Sequence, residues 1–151
     1  MTAMLVSDQR IEAKSINPIA KISVQTHTNI PQLEAAIESA RTLLNLGDNW
    51  DGEGSPAYSK HTLERAIAFL RMHVERVWEA GINAPVPYIN PGPHGSIDLH
   101  WKERTWELLV NVPAEETRPA VFYGDDYGAG VIKGTIDPAR YSFGLLEWLM
   151  K

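Results

Sequence analysis

Residues 95–112, Gly-Ser-Ile-Asp-Leu-His-Trp-Lys-Glu-Arg-Thr-Trp-Glu-Leu-Leu-Val-Asn-Val, decide the fold. Ile97, Leu99 and Trp101 alternate with Ser96, Asp98 and His100. Beyond the polar Lys102-Glu103-Arg104 turn, Trp106, Leu108, Val110 and Val112 alternate with Glu107, Leu109 and Asn111. Period two marks strands with one face in a core. A link this short admits only a hairpin, because parallel neighbours need a crossover of about a dozen residues or more. The sheet is therefore predicted to be antiparallel.

Working outward, Pro85–Ile89 reads as an edge strand, since its prolines cannot donate to a ladder on both sides. Residues 90–95 (Asn-Pro-Gly-Pro-His-Gly) have turn composition. Downstream, Ala120–Tyr123 and Val131–Ile136 flank the turn residues 124–130 and predict another hairpin. Asp137-Pro138 is expected to cap a last helix bearing Tyr141, Leu145, Trp148 and Leu149. Upstream, a helix is expected from Pro31, with Leu33, Ala36, Ile37, Ala40, Leu43 and Leu44 at helical spacing and Gly47 ending it. A second follows Ser59 as N-cap, with Leu63, Ala66, Ile67, Leu70, Val74, Val77 and Trp78 on one face and Gly81 closing it. The order is ααββββα or ααβββββα. It predicts one α+β domain over residues 31–151, two amphipathic helices, a meander of four or five antiparallel strands and a C-terminal helix, with the helices on one sheet face. Residues 1–30 are expected to form a partly mobile arm, with Ala20–Gln25 as a short strand and His27 carrying no signal.

Composition narrows the function classes. The chain has 151 residues and a net charge of −5. It disfavours nucleic acid, whose phosphates select clustered Lys and Arg. The absence of cysteine excludes disulfide scaffolds, zinc ribbons, iron–sulfur sites and thiol catalysis. No apolar run approaches the roughly 20 residues of a membrane span, and residues 1–10 lack the pattern of a secretory signal. A cytoplasmic protein with no cofactor is the expectation.

Several strings invite chemistry. Tyr123-Gly124-Asp125-Asp126 resembles the metal-binding hairpin of RNA-dependent polymerases, but only over four residues. A palm needs a further carboxylate strand and a basic face, so these residues are read as turn formers. Asn49-Trp50-Asp51-Gly52-Glu53-Gly54 starts like an EF-hand loop, yet its twelfth position is Lys60 where calcium needs a bidentate Glu. Asp98 and His100 share a strand face, with Asn111 opposite and His94 nearby, and are a candidate acid–base pair or metal site. No nucleophile elbow, His-Glu-x-x-His or phosphate loop occurs. Trp78, Trp101, Trp106 and Trp148 lie on apolar stripes and are expected in the core. Trp50, flanked by Asn49 and Asp51 in a loop, is the exception and is read as a binding anchor.

The runs Asn49–Gly52, Gly95–Trp101, Phe122–Asp126 and Ile132–Ile136 resemble a family of small bacterial and phage-associated proteins to which no activity attaches. The likeness spans roughly residues 44–137. It implies a prokaryotic setting in which small acidic domains act by binding other proteins. The expected function is a non-catalytic interaction module, such as an antitoxin, an immunity protein or a phage-encoded inhibitor of a host system. Its expected partner is another protein, of basic character, met by Trp50, Asp51, Glu53, Asp125, Asp126 and Tyr127. Two rivals stand beside it. One is a metal-dependent hydrolase using Asp98, His100, Asp125 and Asp126. The other is a structural subunit of a homo-oligomer, a homodimer for instance, joined through an uncovered sheet face.

Overall fold

Five strands run as an antiparallel meander in sequence order: β1 (Tyr88–Pro91), β2 (Ile97–Lys102), β3 (Glu107–Val112), β4 (Ala120–Asp125) and β5 (Val131–Ile136). Among the described residues three α-helices, α1 (Pro18–Ala40), α2 (Lys60–Glu79) and α3 (Phe143–Leu149), complete the α+β fold. This computed structural model describes residues 18–128 and 130–151. The part of the expected arm before Pro18 lies outside them.

The alternation of apolar and polar residues is realised strand by strand. Ile97, Leu99, Trp101, Leu108, Val110, Val112 and Ala120 are buried on the inner face of the sheet. Against that face α2 brings Leu63, Ala66, Ile67, Leu70, Val74, Val77 and Trp78, all buried. Each large side chain of this stripe contributes about 1.5–3 kcal/mol of burial. The helix begins where Ser59 Oγ accepts from the Thr62 N–H at 3.0 Å, and the chain leaves it through Gly81 at φ +79°. α1 joins through Leu33, Ile37 and Ala40, and a forked Arg71–Glu34 pair (2.5 and 3.1 Å) ties it to α2. Trp78, Trp101, Trp106 and Trp148 are in the core as expected, and Trp50 is 38 % exposed.

Four expectations change. Ala20–Gln25 is helical, and α1 starts at Pro18 with Pro31 inside it. Six residues of alternation are too few to separate a strand from a turn and a half of helix. The stretch expected to continue the first helix to Gly47 tightens into a 3-10 turn at Arg41–Asn45. The first strand sits later than Pro85–Ile89, because Pro85 and Pro87 supply no ladder donors ahead of Tyr88. The last helix is capped by Ser142, whose Oγ accepts from the Leu145 N–H at 3.4 Å. Asp137 caps only a turn, accepting from the Ala139 N–H at 2.9 Å.

Candidate functional site

All three helices pack on the inner face, so the outer face of the sheet is covered by no described element. The strand register composes it in rows. Tyr88, His100, Leu109, Tyr123 and Lys133 lie side by side across all five strands. Asn90, Asp98, Asn111, Val121 and Thr135 form the row on one side, and Lys102, Glu107, Asp125 and Val131 the row on the other. Tyr88 is 65 % exposed, Val131 54 %, Val121 52 % and Tyr123 40 %.

Polar side chains on this face are held in three groups, one at each end and one in the middle. At one end Asn111 Nδ2 donates to Asp98 Oδ1 at 2.7 Å and to Ser96 Oγ at 2.8 Å. Ser96 in turn donates to the Pro93 carbonyl at 2.5 Å. Burial pushes the Asp98 carboxyl above its ordinary range, opposed by the Asn111 hydrogen bond and the His100 charge. In the middle, His100 Nε2 lies 3.1 Å from Glu107 Oε2, a diagonal cross-strand pair. His100 thus pairs with Glu107, which the sequence reading missed, and the reading's Asp98 pairs with Asn111. Counting the hairpin register back from the Lys102-Glu103-Arg104 turn would have placed Glu107 beside His100.

Trp50, Asp51 and Glu53 stand in the loop before α2. That loop is closed by its own acids. Asp51 Oδ1 accepts from the Glu53 and Ser55 N–H groups (2.9 and 3.2 Å), its other oxygen takes the Ser55 hydroxyl, and Asp48 Oδ1 accepts from the Ala57 N–H at 2.9 Å. The Ser55 hydroxyl and these N–H groups hold the Asp51 carboxyl below the usual range. The Trp50 ring leans on Tyr58 with centroids 6.0 Å apart, and the Tyr58 hydroxyl donates to the Gly92 carbonyl at 2.9 Å. The loop therefore meets the sheet at the Asp98 end.

Asp125, Asp126 and Tyr127 occupy the other end. Asp125 accepts from the Tyr123 hydroxyl (3.0 Å) and the Tyr127 N–H (2.7 Å). Asp126 Oδ1 accepts from the Gly128 and Gly130 N–H groups at 3.1 and 2.9 Å, which keep its carboxyl low. Tyr127 itself sits at φ 60°.

Asp98 lies level with Asn111, whereas Asp125 lies level with Glu107 and hence with Lys102. Four residues along a strand are about 13 Å, and two strands across about 10 Å more. A single metal centre drawing on Asp98, His100, Asp125 and Asp126 is therefore not assembled. Among the described residues no group of three or more His, Asp or Glu side chains is placed to hold a metal ion. Nor is any helix among them long and apolar enough to cross a membrane.

No protein-family model, curated protein or solved structure matches the chain. The outer face carries aromatic rings and charged side chains fixed by hydrogen bonds.

Proposed function

We propose that this protein is a non-catalytic interaction module that binds another protein through the outer face of its sheet. One observation carries the reading: a whole sheet face, left bare by every described element, presents Tyr88, Leu109, Val121, Tyr123 and Val131 among hydrogen-bonded polar groups. Aromatic anchors ringed by polar side chains are the usual make-up of an interface centre. Five strands of up to six residues give a face of about 20 by 20 Å, or about 400 Å². That is half of the roughly 800 Å² per partner in a standard interface. A partner seated on it must also reach a rim. Two rims are available, the hairpin tip with Asp125, Asp126 and Tyr127 and the loop with Trp50, Asp51 and Glu53. Asp98, Glu107 and Asp125 outnumber Lys102 and Lys133 on the face, which favours a basic partner. The resemblance to small bacterial and phage-associated proteins supports a prokaryotic or phage setting and a protein that acts by binding another, such as an antitoxin, an immunity protein or an inhibitor of a host system.

The test is a photo-activatable cross-linker placed at Tyr123, with a second at Glu75 on the far side of α2 as control. Cross-linking from Tyr123 to one defined protein in a bacterial lysate is expected, with none from Glu75. Tyr88→Ala and Tyr123→Ala should each weaken binding of that protein at least about tenfold, as interface anchors do. Equal binding by the wild type and both variants would remove the face from consideration.

A further inference from the structure

The two edges of the sheet are unlike. β1 has four residues, is preceded by Pro85 and Pro87, ends on Pro91 and is packed by α1. These are the devices by which natural sheets blunt an edge. β5 has six residues, no proline, and Lys133 as its lone charge. Beside it, between the strand and α3, opens a groove of about 680 Å³ walled by Phe122, Ile132, Gly144 and Trp148.

No described residue pairs with the outer side of β5, and hydrogen bonding sets the phase of that edge. The Asp126 N–H donates to the Gly130 carbonyl at 3.0 Å. Antiparallel pairs alternate from there, so Ile132, Gly134 and Ile136 turn their peptide groups toward β4. Val131, Lys133 and Thr135 turn theirs outward.

We infer that β5 is the docking edge for a second copy of this chain, the two β5 strands pairing antiparallel about a twofold axis at Gly134 to give a continuous ten-stranded sheet. The strand is self-complementary in that register. Lys133 and Thr135 of one copy face Thr135 and Lys133 of the other through outward peptide groups, giving both strands hydrogen-bonded pairs. Gly134 meets Gly134 at a non-hydrogen-bonded position, where Cα atoms approach to about 4.5 Å. A Cβ on Gly134 would stand 3.1 Å from the Phe122 ring and crowd it from within. Ile132 of one copy lies across from Ile136 of the other at the mouth of the groove. The register centred one residue earlier keeps the same faces but sets Lys133 directly against Lys133, a repulsive pair. Centring on Gly134 instead moves the two lysines apart to a diagonal, two residues along the strands, with Asp137 of the other copy on the opposite diagonal of each. The axis stands normal to the sheet, so both outer faces point the same way and the assembly presents a doubled recognition surface.

Sedimentation of the full chain from about 5 to about 500 µM reads the association. Mass is expected to rise from 16.9 kDa toward twice that value. Amide exchange at Lys133 and Thr135 should slow as concentration rises. Thr135→Lys, an exposed position that then sets a lysine opposite Lys133 of the other copy, should weaken the dimer at least about tenfold. Adding Lys133→Glu to it should restore association, because each introduced lysine then faces an introduced glutamate across the axis; thermal melting checks that each variant is folded. A chain that stays monomeric throughout, or a dimer indifferent to Thr135→Lys, overturns the inference. Either result leaves the outer-face reading standing, because Tyr88 and Tyr123 take no part in the β5 edge.

Discussion

His73 shows how far one side chain can be specified by its partners. It is fully buried, and its Nδ1 lies 3.0 Å from the Phe69 carbonyl while its Nε2 accepts the Ser142 N–H at 3.0 Å. Only the neutral ring protonated at Nδ1 satisfies both, and burial lowers its affinity for a proton. The unfolded chain, with an ordinary imidazole near about 6.5, therefore binds the proton more readily than the folded one. Stability is complete above about pH 6.5 and declines as pH falls from there toward the lowered folded value. Urea titrations at about pH 7.5 and about pH 5.5 should show this decline. His73→Leu should flatten it, and at the higher pH should cost about 1–3 kcal/mol because the Ser142 N–H loses its acceptor. A residue with the opposite lesson is Tyr127, an exposed aromatic held at φ 60° where glycine would be at ease. Tyr127→Gly should raise the melting temperature by about 2 °C. If the ring is a rim contact, the same change weakens partner binding, so stability and affinity move in opposite directions.

At the level of elements, the β4–β5 hairpin explains Tyr123-Gly124-Asp125-Asp126 without metal chemistry. Gly124 is buried beneath α3, and a Cβ added there would lie 2.8 Å from Ile132 Cγ1 and 2.9 Å from Trp148 Cε2. Trp148 is pinned in turn by its Nε1–H donating to the Glu107 carbonyl at 3.1 Å. Gly124→Ala should push α3 off the sheet and cost about 1–3 kcal/mol, measured by chemical denaturation. Gly124 therefore answers a packing need, and the two aspartates close the turn. β2 and β3 were legible because each alternates over six residues against one core, a pattern that a one-residue slip would invert. The last helix was misplaced because Asp137-Pro138 and Ser142 are both competent caps. Only His73, 69 residues away in sequence, decides between them by taking the Ser142 N–H. A bond of that range leaves no local trace, whereas the Ser59 cap reads directly from the chain.

On the scale of the molecule, the residues chosen from sequence as partner-facing divide between the two ends of the sheet, and the bare face lies between them. Loop acids were visible as composition, but composition cannot tell a turn-forming carboxylate from a free one. Asp51 and Asp126 are largely occupied by backbone donors, while Tyr88 and Tyr123, which stand out from the face, look in sequence like ordinary strand residues. What exposes them is the packing of every described helix on the opposite side, a tertiary fact. The face so created has Asp98, Glu107 and Asp125 against Lys102 and Lys133, and the chain carries −5 overall. Attraction of a basic partner to such a surface acts across solvent and is screened beyond about 10 Å at about 0.1 M salt. It should therefore govern encounter more than residence. Raising sodium chloride from about 50 to about 500 mM should lower the association rate constant several-fold and change dissociation little. Asp125→Lys should lower the same rate constant at low salt and blunt its salt dependence, whereas Tyr123→Ala should act through faster dissociation. Stopped-flow measurements separate the two, and an association rate indifferent to both salt and Asp125→Lys would leave the charge of the face without a role in recognition.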